Sequence, residues 1–83
     1  MPYYLITCRS LTYAQRAARA LENSGISAIV TKAPQGVQEG CSYCVKVSER
    51  RLTDALTAIN SAGLGPGKVF LLEPSGEARE VGQ

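Results

Sequence analysis

The chain has 83 residues, 45% hydrophobic and 19% charged, with a formal net charge of +2. These totals describe one small domain with a thin core. They exclude a disordered composition and, because no basic cluster accompanies the weak charge, a nucleic-acid footprint. Histidine is absent and cysteines number three. The first fact removes the commonest general base and metal ligand, and the second rules out a complete disulfide framework. No run approaches the ~20 apolar residues of a membrane span. The opening MPYYLITCRS is too short for a signal peptide and lacks a small-residue cleavage site. The expectation is a cytoplasmic protein with no membrane, nucleic-acid or cofactor requirement, one domain over 1–83 and an ordered core over about 3–73.

Tyr3 to Cys8 (YYLITC) is rich in aromatic and β-branched residues and predicts a strand. Ser10 and Thr12 are candidate helix N-caps, and Thr12 has Gln15 at capping-box spacing. A helix follows to about Asn23, with Ala14, Ala17, Ala18 and Leu21 on its apolar face. Those small residues let it sit close to a sheet. Gly25 is placed as a C-cap glycine, and Ile26 to Thr31 (ISAIVT) predicts a second strand.

Lys32 to Gly40 (KAPQGVQEG) is a loop. Ser42 to Val47 predicts the third strand. Ser48 caps a second helix over Glu49 to Ala62, where Glu49 suits the positive end of the helix dipole. Leu52, Ala55, Leu56 and Ile59 form its apolar stripe. Arg50-Arg51, the longest basic run, reads as a solvated first turn. Gly63 ends the helix and Leu64-Gly65-Pro66-Gly67 turns the chain. Val69 to Glu73 (VFLLE) predicts a fourth strand, and Pro74 to Glu77 a turn into a short edge strand near Arg79 to Val81.

The order β-α-β-β-α-β, with similar joints at ENSGISAIV and INSAGLGPGKVF, predicts an α+β, ferredoxin-like fold. It consists of a four-stranded antiparallel sheet, order 4-1-3-2, with both helices on one face and a short extra C-terminal strand or tail. Right-handed crossovers set the strand directions.

This topology gathers Cys8, Cys41 and Cys44 at one end of the sheet. The Cys41–Cys44 spacing is CxxC, but it enters a strand, whereas a thioredoxin-type pair sits at a helix N-terminus. Three strand residues span about 10 Å, too far for a disulfide, so Cys41 and Cys44 can pair only if Cys41 lies in the flexible loop. A cross-strand pair between Cys8 and Cys44 is geometrically easier. Tyr43, Val45 and Val47 are expected to face the helices, and Ser42, Cys44, Lys46 and Ser48 to face away. Cys44 is then partly exposed, and Cys8 and Cys44 both suit the role of small packing residues. Cys41 follows Glu39-Gly40, near the expected helix start and Arg9, both of which stabilise a thiolate. For Cys41 a packing role and a chemical role remain balanced on these grounds.

YYLITCRSLTYAQRAARALENSGISAIV followed by GCSYCVKVSERRL resembles the small selenium/sulfur (Se/S) carrier protein-like family over about 3–73. Cys41 falls on the family's cysteine, and Lys46-Val47 on its basic-valine step. Ser42 replaces the usual glycine, and Cys44 and Cys8 are additions of this chain. The resemblance implies that Cys41 carries sulfur or selenium, as a persulfide or selenosulfide, between donor and acceptor proteins, without enzymatic turnover. Arg9, Cys44 and Cys8 would support it. Two alternatives stand beside it. One is a copper or zinc site of Cys8, Cys41 and Cys44, although ferredoxin-like metallochaperones carry their CxxC in the first loop. The other is a small interaction or regulatory module, which could form a homodimer through the open sheet face or the fourth-strand edge.

Overall fold

The computed structural model describes residues 3–34, 43–65 and 67–81. The elements run β1 (Tyr3–Cys8), α1 (Leu11–Asn23), β2 (Ile29–Lys32), β3 (Tyr43–Ser48), a 3-10 turn (Glu49–Arg51), α2 (Leu52–Ser61), β4 (Val69–Leu72) and β5 (Ala78–Glu80). The fold is α+β, with two helices and one antiparallel sheet in the order β2-β3-β1-β4-β5. The expected order of the first four strands holds. The expected strand count does not, because β5 pairs along β4, with Leu72 opposite Ala78 and Phe70 opposite Glu80. The edge of β4 considered above for a homodimer is therefore taken within the chain.

Strand alternation divides the sheet residues between two faces. Tyr4, Ile6 and Cys8 of β1 share a buried cluster with Val45 and Val47 of β3, Val69 of β4, Ala14, Ala17 and Leu21 of α1, and Ala55 and Ile59 of α2. Both helices thus serve the same face. Alanines at the α1 contact let the helix backbone approach the strands, and Ala14 is fully buried.

The two helices end in the same device. Gly25 and Gly63 both have φ of 79°, a conformation open to glycine and strained for other residues. The Gly25 and Ile26 N–H groups donate to the Glu22 and Leu21 carbonyls, and the Gly63 and Leu64 N–H groups to the Asn60 and Ile59 carbonyls. Each is a Schellman motif, which satisfies carbonyls that the helix leaves over and brings the residue after the glycine onto the last apolar turn. Ile26, expected to open β2, is therefore a buried capping residue, and β2 starts at Ile29. Ser10 is the N-cap of α1, its hydroxyl accepting from the Tyr13 N–H at 3.2 Å. Thr12 lies inside the helix, so the Thr12–Gln15 capping box does not form.

The other face is not the open surface expected from a sheet with helices on one side. Leu5, Cys44, Phe70 and Ala78 form a second buried cluster there, with Ala33 and Leu72 packed against it. Phe70 is only 1% exposed. This face gathers residues from four strands and from the segment leaving β2.

Candidate functional site

The site is built where β1 and β2 finish and β3 and β4 begin. Cys8 lies opposite Tyr43, which lies opposite Lys32; Thr7 lies opposite Cys44, which lies opposite Thr31. Residues directly opposite in an antiparallel pair share a face. Cys8, Tyr43 and Lys32 therefore form a row on the helix face, and Thr7, Cys44 and Thr31 a row on the other.

Thr7 fixes the start of β4. Its hydroxyl accepts from the Lys68 N–H at 2.8 Å, and its own N–H donates to the Lys68 carbonyl at 2.9 Å. Gly67 is pressed against this contact, and a Cβ there would overlap Thr7 Oγ1 and stand 2.5 Å from the Thr7 carbonyl oxygen.

Cys41 lies outside the described residues. Arg9 is exposed, and its guanidinium carbon stands 4.8 Å from the centre of the Tyr13 ring. Tyr13 thus holds the positive charge at the first turn of α1. Cys8 is buried under the helices at 7% exposure, its thiol donating to the Ile6 carbonyl oxygen at 3.7 Å. Cys44 is 0% exposed in the second cluster, so the expected partly exposed thiol is a buried one. The reason is tertiary: Leu5 of β1 and Phe70 of β4, with Ala33, pack in the layer into which alternation points it.

The same alternation corrects the expected cross-strand pair. Cys8 and Cys44 belong to clusters on opposite faces of the sheet. The three-cysteine copper or zinc site fails with it. Thiolates on one ion stand about 2.3 Å from the metal, and two cysteines on opposite sides of a sheet cannot both reach that distance. Among the described residues no group of three or more metal-ligating side chains forms.

Two of the surface depressions are lined by described residues. One of about 110 Å3 lies over the second face, lined by Leu5, Thr31, Lys32, Pro34, Lys46 and Leu72. Lys46 there sits 4.7 Å from the centre of the Tyr3 ring. The other, about 280 Å3, runs beside α2 and the end of α1, and includes Arg51 and Asp54 but no described cysteine. Neither is the enclosed pocket that a small-molecule enzyme uses. Among the described residues no helix is long and apolar enough to cross a membrane.

A sequence model of the family described as "Putative Se/S carrier protein-like" matches residues 3–71, from β1 into β4. No curated protein and no solved structure matches the chain. With a family match over most of its length, this chain belongs to the Se/S carrier protein-like family.

Proposed function

We propose that the protein is a thiol-based carrier of sulfur or selenium in which Cys41 holds the cargo. The observation that carries this reading is the family match across position 41 in a chain whose other two cysteines are buried. A cargo passed between proteins needs a thiol that a partner can reach, and buried structural cysteines are inert. The step needs no outside oxidant. The Cys41 thiolate attacks the terminal sulfur of a donor persulfide, a sulfur–sulfur bond forms at Cys41 as the donor's bond breaks, and the donor leaves as a thiolate. The moved sulfur keeps its oxidation state, and a second exchange passes it to an acceptor.

Arg9 supports the thiolate electrostatically in this reading, while Cys8 and Cys44 act through packing. The carrier works as one cytoplasmic domain, without turnover chemistry or a resident cofactor. The β-α-β-β-α-β order supports describing the fold as ferredoxin-like with a fifth strand added. Intact-mass spectrometry after incubation with a persulfide donor tests the proposal. One added sulfur is expected on the wild type and on Cys8→Ala and Cys44→Ala, and none on Cys41→Ser. Undiminished loading of Cys41→Ser would overturn the reading.

A further inference from the structure

Charge is distributed unevenly along the strand direction. Arg9 follows the last residue of β1, Lys32 ends β2 and Lys68 precedes β4, so all three lie at the same end of the sheet, and all three are exposed. Glu22 lies near the end of α1, Glu49 and Asp54 near the start of α2, and Glu73 and Glu77 in the β4–β5 turn, all toward the opposite end. Glu80, opposite Phe70, sits at mid-height, and Glu39 lies outside the described residues. Among the described residues the ion pairs are Arg51–Asp54 and Arg79–Glu73. Neither involves Arg9, Lys32 or Lys68.

The Arg9 side chain and the backbone of the two lysines are fixed by their neighbours. Tyr13 lies beneath Arg9, the Lys68 backbone is tied on both sides by Thr7, and Lys32 is in register with Tyr43. The N-terminus of α1 opens at the same end with no acidic residue in its first turn, which adds the positive pole of the helix dipole. From β2 across β3 and β1 to β4 is three strand spacings, about 15 Å. That is the length of an extended segment of roughly four or five residues.

We propose that this end of the sheet is a docking surface for an acidic protein segment, received by Arg9, Lys32 and Lys68. In the carrier reading, on which the choice of occupant rests, the segment belongs to the donor or acceptor whose sulfur is exchanged with Cys41. Charge complementarity of this kind accelerates encounter and orients the partner more than it tightens the complex, as suits a transient exchange. Three cations spread over this width match a few carboxylates. They are too few for the dense phosphate charge of a nucleic acid, whose binding scales with the number of phosphates neutralised.

The test is binding of a fluorescent poly-L-glutamate peptide, followed by anisotropy at low and at physiological salt. Lys32→Gln/Lys68→Gln is compared with Arg50→Gln/Arg51→Gln, which removes the same charge at the opposite end. The first pair should weaken binding about tenfold at low salt and the second less than about twofold. Circular dichroism checks that both variants are folded. Equal losses in the two variants would reduce the effect to net charge and overturn the proposal. So would tighter binding of a single-stranded oligonucleotide of matching charge. Sulfur loading from a small persulfide donor is measured in parallel on the wild type and on Cys41→Ser. Loading that persists in Cys41→Ser would remove the carrier reading alone, because the peptide measurement does not depend on the thiol.

Discussion

The two faces of the sheet reach full burial by different routes. On one face, the α1 and α2 residues Ala14, Ala17, Leu21, Ala55 and Ile59 close over Ile6, Val45, Val47 and Val69. On the other, Leu5, Cys44, Phe70 and Ala78 form a smaller layer, with Ala33 and Leu72 against it and no helix among its members. The first face is built from periodic patterns within single elements. The second is assembled from single residues distant in sequence, and it still excludes water from Cys44 and Phe70. A thin domain buries little surface for its length, so a second layer, even a small one, is a considerable part of what holds it.

The largest expected effect tests whether the two layers are energetically comparable. Phe70→Ala should cost about 3–5 kcal/mol and Leu21→Ala about 2–5 kcal/mol, both read from urea unfolding. A loss below about 1 kcal/mol for Phe70→Ala would mean that the second layer is a surface in solution. Next in size is Gly67→Ala, where overlap with Thr7 should cost about 1–3 kcal/mol. Gly65→Ala, whose Cβ would meet nothing within 4 Å, should stay within about 0.5 kcal/mol of wild type. A smaller effect sharpens the helical side. Ser10→Ala should lower stability by about 1 kcal/mol, while Thr12→Ala should leave it unchanged or raise it by a few tenths, since alanine is the better helix former. The smallest concerns the rim: Ile29, 59% exposed on β2, should tolerate Ile29→Thr within about 0.5 kcal/mol.

The elements were legible in the sequence where the governing interactions are local. The bounds of β1, the glycine stops after both helices, the helix-facing side of β3 and the order of four strands all follow from periodicity and turn chemistry, whereas Ser48 caps the 3-10 turn and α2 begins only at Leu52, with no side-chain cap. Ile26 was misassigned because an apolar residue after a helix-ending glycine looks alike as a capping contact and as a strand start. The burial of Cys44 was not legible, because the residues that cover it come from β1, β4, β5 and the end of β2. The sequence pattern identifies the face to which Cys44 points but not what lies over that face. Of the candidate site, the position of Arg9 was readable, whereas the Thr7–Gly67–Lys68 clamp joins segments 60 residues apart and has no local signature. Cys41 was singled out by its sequence setting, and the resemblance gave it a role; the burial of Cys8 and Cys44 adds weight to that choice.

The pairing of β5 along β4 has a consequence for anyone shortening the chain. The family match ends at residue 71, which invites a cut soon after. Such a cut would leave Val69–Leu72 (VFLL) as a bare border strand, its outward N–H and C=O groups unsatisfied and one of its side chains the buried Phe70. An unguarded apolar border of that kind recruits other chains by strand addition and seeds aggregation. With β5 in place, Arg79 and Glu80 take that outer position and present charge instead. β5 thus acts as a solubility guard for the β4 border of the sheet.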